Sequence, residues 1–508
     1  MKILAAGSCA VLLATLVRGQ TLNNAESCES LSALALVNTT ITLAQTVPAG
    51  EFTLPTTGAA LARRLSNLPT VCRVAATLKP SSDSDIKIEV WLPTSGWNGK
   101  FQAVGNGGFA GSISYGAMVT ALNLGYATAS TDTGHVASGV DASWALGHPE
   151  RVVDFGYRAI HEMTVKAKAI LQAFYDRGAR LSYFVGCSQG GRQGLMEAQR
   201  YPTDYGAIVV GAPVNFVTHL AAGKLWIASA TLKDPASFIP PSQYPLINKA
   251  ALAACDARDG IADGLINDPT RCDFDPKTLL CHGAASETCL TPAQVEAVEK
   301  IYSGLKNART GREIYPGMTR GSELGWAAMA GGPNPHPFST APFKYFVFGD
   351  PNWDWRTFDF DADVAKADAM LASHNAVDPN LRAFKSRGGK IIMYDGWNAD
   401  DNIALNSVNY YNSVSRFFGA KQTDDFLRLF MAPGMGHCGG GPGPNTFDAL
   451  TALEQWVEQS KAPEKIVASH STNGVVDRTR PLCPYPQVAQ YKGVGSTDDA
   501  ENFACKSR

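Results

Sequence analysis

The pentapeptide Gly186-Cys187-Ser188-Gln189-Gly190 constrains this chain more than any other feature. An apolar run, Leu181 to Val185, precedes it, and Arg192 to Gln199 behind it carries helical spacing. A strand that turns at once into a helix through a serine flanked by glycines is a nucleophile elbow. Glycines let the chain reverse there without a Cβ clash, so the serine hydroxyl stands clear above the sheet. A serine hydroxyl is a poor nucleophile until a base takes its proton, so this reading demands a histidine and an acid farther along. The bland alternative is a glycine-rich strand-to-helix turn with an incidental serine, and it makes no such demand.

The surrounding text alternates in the same way. Ile86 to Leu92 alternates apolar and polar residues and stops at Pro93. Phe101 to Val104 is a second short strand, running into Gly105-Asn106-Gly107-Gly108, and Gly125 to Ala129 is a third. Val153 to Tyr175 carries helical spacing. After Asn215 the alternation breaks down, and Phe216 to Pro379 mixes short helices with loops, four cysteines and many aromatics. Strand-like text returns at Gly389 to Tyr394, followed by a helix-like stretch, Asn406 to Phe418, and a strand, Leu427 to Met431. Strands and helices in alternation predict a parallel sheet covered by helices. The expectation is an α/β-hydrolase fold built from residues 20–215 and 380–508, interrupted by an inserted lid at 216–379. The C-terminal tail reads as irregular.

The base is expected to be His437, within Gly434-Met435-Gly436-His437-Cys438-Gly439-Gly440-Gly441. It follows a strand, in a loop flexible enough to bring an imidazole to Ser188. His135 and His161 precede the nucleophile, against the hydrolase order of serine, acid, histidine. His219, His282, His336, His374 and His470 lack a supporting context. The acid belongs just past a strand between Ser188 and His437, to hold the imidazole tautomer and stabilise the imidazolium. Asp395, Asp400 and Asp401 all qualify, and order and spacing do not choose among them. The backbone N–H of Gln189 would face a developing oxyanion. A second donor should come from a loop after an early strand, and Gly108 is favoured, because a residue without a side chain lets the backbone approach the substrate.

The chain has 508 residues and a formal net charge of −2, which leaves no basic footprint for nucleic acid. Lys2 followed by an apolar run from Ile3 to Val17, with Val17 and Gly19 small enough for cleavage before Gln20, predicts a secretory signal over residues 1–19. That run is too short for a confident membrane span, and no later stretch offers one. Of 11 cysteines Cys9 lies in the signal, which leaves ten, an even number that argues for disulfides in an exported chain. Asn38-Thr39-Thr40 is a glycosylation sequon.

With Cys187 beside the nucleophile, Cys438 beside the histidine and an aspartate between them in sequence, the chain resembles the tannase and feruloyl esterase family over almost its whole mature length. The resemblance implies a disulfide between Cys187 and Cys438, tying the elbow to the histidine loop. It further suggests the pairs Cys28–Cys72, Cys255–Cys272, Cys281–Cys289 and Cys483–Cys505. The family reads His-Gly-x-x-Asp around its acid. Here Asp395 replaces that histidine, and the segment to Asp400 is one residue longer, so the alignment picks Asp400, then Asp401, then Asp395. The segment from Cys255 to Leu265 matches the family's calcium loop, with side chains of Asp256, Asp259 and Asp263 and backbone oxygens of Ile261 and Leu265 as ligands. Closely spaced aspartates with intervening carbonyls suit calcium's demand for hard oxygen donors, although this is not an EF-hand. A structural role for the ion is expected.

What the resemblance implies is hydrolysis of aromatic-acid esters through an acyl-enzyme, with feruloyl esters first and galloyl or terephthalate monoesters as alternatives. The inserted region carries Tyr345, Phe346, Phe348, Trp353, Trp355, Phe358 and Phe360, which could sandwich an aromatic acyl group or form the lid's own core. Two other classes share parts of the pattern. A serine peptidase could use the same triad, and a calcium-stabilised binding protein would need no triad at all.

Overall fold

The structure, a computed structural model, describes residues 27–54, 58–284 and 286–507. The expected signal over residues 1–19 lies outside them. Fifteen strands run in chain order: β1 Thr39–Val47, β2 Val71–Leu78, β3 Ile86–Pro93, β4 Lys100–Val104, β5 Ala127–Thr131, β6 Leu181–Cys187, β7 Ala207–Gly211, β8 Leu305–Lys306, β9 Glu313–Tyr315, β10 Lys390–Gly396, β11 Leu427–Ala432, β12 Ile466–Thr472, β13 Val475–Leu482, β14 Val488–Tyr491 and β15 Phe503–Lys506. Nine of them form one sheet in the order β1-β2-β3-β5-β4-β6-β7-β10-β11. The first four strands in that order pair antiparallel, and every pairing from β5·β4 to β10·β11 is parallel. A mostly parallel sheet with helices on both faces and an elbow after its central β6 is the α/β-hydrolase fold.

Alternation along the parallel strands sends side chains to two cores. Phe184, Ile208, Ile391, Met393 and Leu429 face one side, against Ile160, Met163 and Ile170 of the helix Ala159–Tyr175 and Leu195 of the helix Gln189–Arg200. Tyr183, Val209, Ile392 and Phe430 face the other, against Leu453 and Trp456 of the helix Ala449–Gln459. Buried on both faces, these strands are almost continuously apolar, as parallel strands must be.

Residues 216–379 pack around the helix Val217–Leu232, with Leu220, Leu225, Ile247, Val298, Trp326 and Phe343 buried in one cluster that also takes in Phe109, Ala142, Ala145 and Phe155 of the sheet domain's loops. The elbow helix starts at Gln189, immediately after the serine and three residues before its expected beginning. The tail differs more from expectation. It is two antiparallel pairs, β12 with β13 and β14 with β15. Asn473 and Gly474 both have positive φ, 52° and 80°, which closes the first pair with a tight hairpin turn.

Candidate active site

Every expected catalytic segment lies at the carboxyl end of a parallel strand. The loop Gly105 to Gly108 leaves β4, Ser188 leaves β6, the aspartate segment leaves β10 and His437 lies beyond β11. Ligands of open parallel sheets gather at that edge.

Ser188 has φ 62° and ψ −120°, a conformation that an L-residue with a side chain rarely adopts and that marks a strained elbow. The strain is held by close backbone packing. A Cβ on Gly186 would lie 2.5 Å from Gly190, and one on Gly105 would lie 2.5 Å from the Gly190 Cα. The elbow and the loop after β4 therefore touch backbone to backbone. Asn106 fastens them: its N–H donates to Gln193 Oε1 at 3.0 Å, and Gln193 Nε2 donates to Asn106 Oδ1 at 3.0 Å. Gly108 has φ 55°, and a Cβ there would fall 2.1 Å from the Gly139 carbonyl oxygen, so no side chain fits.

Gly108, Gln189 and Ser188 border one cleft. Phe109 and Phe155 from the sheet domain and Leu220, Phe338 and Pro342 from the insertion make its walls apolar. The seven insertion rings singled out from sequence are absent from those walls. Phe346 is buried behind the walls, against Phe109, Trp144 and Phe155, Phe358 packs on Phe343, and Phe348 packs against Trp353 at 5.1 Å between centroids. Behind the cleft Arg192 is fully buried, donating to the carbonyls of Phe155, Gly156 and His374 and to Gln189 Oε1. That fan of bonds fixes both a wall ring and the residue after the nucleophile.

Among the described residues five disulfides join Cys28–Cys72, Cys187–Cys438, Cys255–Cys272, Cys281–Cys289 and Cys483–Cys505. The second brings the neighbours of Ser188 and His437 to a Cα separation of 6.0 Å. His437 is largely buried, and its Nδ1 lies 2.8 Å from Asn402 Oδ1. Its Nε2 has no hydrogen-bond partner and sits 3.8 Å from Asp401 Oδ2, which lines the cleft with Ser188. Burial lowers the imidazole's pKa below its ordinary value; Asp401 works against that shift and Lys224 adds to it.

The three candidate acids separate clearly. Asp400, expected to hold the imidazole, accepts instead from the His437 backbone N–H at 3.3 Å, and its Cβ crowds Gly325 of the insertion. The reason is local. The backbone N–H groups of Trp397 and Asn398 donate to the carbonyls of Ala432 and Met435 at 2.9 Å each, pinning the lengthened segment so that successive side chains fan apart. Asp401 accepts from Lys224 Nζ at 2.6 Å. Burial works against its charge, yet Lys224 and His437 hold its carboxyl below the usual range. Asp395 is wholly buried at the end of β10 and accepts from Gly396 N–H, Asn402 Nδ2 and Ser407 Oγ at 2.8, 2.9 and 2.6 Å. Burial pushes its pKa up to about 7 despite those bonds.

Sequence reasoning missed Asn402 and Lys224. Asn402 stands beside the candidate aspartates but is no carboxylate. Lys224 was visible as the one charged residue in Leu220 to Ile227, and it is 2% exposed. His135 and His161 are held by structural partners: His135 meets the Phe109 carbonyl and stacks on Trp144, and His161 meets Asp204 and stacks on Tyr201.

In the expected calcium loop, Asp256 accepts from the N–H groups of Asp263 and Gly264, Asp259 from that of Ile261, and Asp263 from that of Leu265. Arg480 lies 2.7 Å from Asp263. Burial pushes Asp259 up to about 6, with the charges of Asp263 and Asp256 adding to the shift. Crowded carboxylates of this kind are relieved by a hard cation, so the donor set suits calcium. Among the described residues, the three-residue group whose ligand atoms all lie within 4.8 Å is a different one, His161, Glu197 and Asp204, at the far end of the elbow helix from Ser188.

Comparison with known proteins identifies the family. The family described as tannase and feruloyl esterase matches residues 72–506. An uncharacterized esterase from Xanthomonas campestris pv. campestris is 42% identical over 97% of this chain and 94% of its own. A probable feruloyl esterase B-1 from Aspergillus fumigatus is 35% identical over 85% of each chain. The crystal structure of feruloyl esterase B from Aspergillus oryzae superposes with a TM-score of 0.87 at 31% identity, covering 94% of this chain and 99% of that one.

Proposed function

The chain belongs to the tannase and feruloyl esterase family and is an esterase, and on that premise we propose that it is a secreted serine hydrolase releasing ferulic-type hydroxycinnamic acids from their esters. The observation that carries the reading is Ser188 in its strained elbow, opening on a cleft walled by Phe109, Phe155 and Phe338. A flat aromatic acyl group would find ring partners there and place its carbonyl at the serine.

In the proposed reaction His437 Nε2 takes the Ser188 proton as the hydroxyl attacks the ester carbonyl. Backbone N–H groups of Gln189 and Gly108 would hold the tetrahedral oxyanion. His437 then gives its proton to the leaving alcohol, and water cleaves the acyl-enzyme by the same steps in reverse order. The low basicity that burial imposes keeps the imidazole neutral, and so able to act as base, into mildly acidic solution.

Calcium is proposed for the loop of Asp256, Asp259 and Asp263, with backbone oxygens of Ile261 and Leu265. Its contribution would be charge neutralisation that stiffens the insertion. Secretion is supported by the basic, apolar start of the chain and by five disulfides, which suit an oxidising compartment. Among the described residues no helix is long and apolar enough to cross a membrane.

Methyl ferulate and methyl gallate compared side by side, with Ser188→Ala as control, test the substrate. Dominant ferulate turnover that the substitution abolishes is expected. Dominant gallate turnover would make the protein a tannin-type acyl hydrolase instead, and cleavage of neither would move attention to terephthalate monoesters.

A further inference from the structure

A serine–histidine pair ordinarily has a carboxylate on Nδ1, which fixes the tautomer and steadies the imidazolium. None of the three aspartates at or beyond the end of β10 occupies that position. Asp401 approaches the opposite ring nitrogen, at 3.8 Å from Nε2, and Asp400 reaches only the backbone N–H. The group on Nδ1 is the amide oxygen of Asn402, at 2.8 Å, and that residue is wholly buried.

Which way an amide points is normally ambiguous, but here its other partner decides. Asp395 already accepts from the Gly396 N–H and the Ser407 hydroxyl, and it meets Asn402 at 2.9 Å. Above its raised pKa that carboxylate has acceptors only, so Asn402 turns its NH2 towards it, Nδ2 donating to Asp395 Oδ2. That leaves Oδ1 facing His437, and an oxygen there requires the proton on Nδ1. Nε2 is then the lone-pair nitrogen, and it is the one without a hydrogen-bond partner, 3.8 Å from Asp401, which lines the cleft. Reversing the amide would set its NH2 against Nδ1, force the proton to Nε2 and remove the base.

We infer that Asn402, held by the buried Asp395, is the positioning residue of this esterase, a neutral amide standing between His437 and its carboxylate. The pair acts through His437 and does not touch substrate. Fully satisfied buried polar networks of this kind are rigid, because moving any member strands the others. The charges nearest the imidazole are then Asp400, Asp401 and Lys224, and the Asp395 charge reaches it only through the amide.

The inference rests on the serine-esterase reading, so its test uses 4-nitrophenyl acetate, which is indifferent to acyl class, and carries Ser188→Ala beside it. In the full chain, Asn402→Ala is expected to lower kcat by about 100-fold or more, in the range of triad orienters, with KM within about threefold. Asn402→Asp keeps an acceptor on Nδ1 and is expected to remain active. Its added charge beside the imidazole should raise the His437 pKa and move the acid limb of kcat/KM to higher pH. An Asn402→Ala kcat within about threefold of wild type would overturn the assignment, judged against that orienter range. So would an Asn402→Asp acid limb that stays in place. Turnover that survives Ser188→Ala would sink the serine reading and this inference together, whereas a dead Ser188→Ala beside an active Asn402→Ala would sink this inference alone.

Discussion

Replacing Cys187 and Cys438 together with alanine removes the covalent link between the elbow and the histidine loop, and its two consequences separate. The bridge spans 251 residues of sequence, for which the loop-entropy relation gives a ceiling of about 5.5 kcal/mol, with measured cases usually near 2–4 kcal/mol. Unfolding should therefore move down by several degrees while the sheet stays intact. The catalytic effect is expected to be larger. Residues 434–441 contain five glycines, and Gly434, Gly440 and Gly441 have positive φ, so the loop gains much freedom when released. Backbone bonds from Gly436 to Gly440 and from Gly443 to Gly434 remain, which limits the excursion of His437 to a loosened position. A displacement of about 1 Å between reacting groups costs on the order of 100-fold. The assay is kcat on methyl ferulate well below the variant's own melting temperature, with melting followed separately. A folded double variant with wild-type kcat, or activity lost only in proportion to unfolding, would refute the claim that the bridge positions the pair.

Other expectations follow from single contacts. Lys224→Met removes a positive charge that depresses the His437 pKa, so the acid limb of kcat/KM should shift to higher pH; a shift to lower pH would contradict that electrostatic picture. Gly108→Ala places a methyl 2.1 Å from the Gly139 carbonyl at a positive φ, and displacing this N–H should lower kcat by about 100-fold with KM little changed, as for loss of one oxyanion donor; an unchanged kcat would remove Gly108 from the oxyanion hole. Chelation of calcium should lower the melting temperature, and added calcium should restore it; a melting curve indifferent to both would argue against the loop's ion.

The parts of the site that are local in sequence were legible before the fold was known. Gly186 to Gly190 needs only its own glycines and flanking periodicities to announce an elbow, and His437 is marked by its glycine-rich loop after a strand. The acid was not legible, because three aspartates and two asparagines within eight residues differ only in where a pinned loop aims them. Register with Ala432 and the residues beyond β11 decides that, and no short-range pattern encodes it. The aromatic walls were hidden for a similar reason. Phe109, Phe155 and Phe338 come from distant segments, while the conspicuous ring cluster at 345–360 mostly packs the insertion's own interior. The tail's strands were obscured by exposed, polar alternation, although Asn473-Gly474 carried the turn signal.

The most direct test of the central claim is mass spectrometry of the intact and digested protein after reaction with a fluorophosphonate. The account predicts one adduct, on the peptide containing Ser188, that forms in the folded protein and is lost on prior denaturation. An adduct on another residue, or ester turnover by protein that takes no label at Ser188, would contradict it.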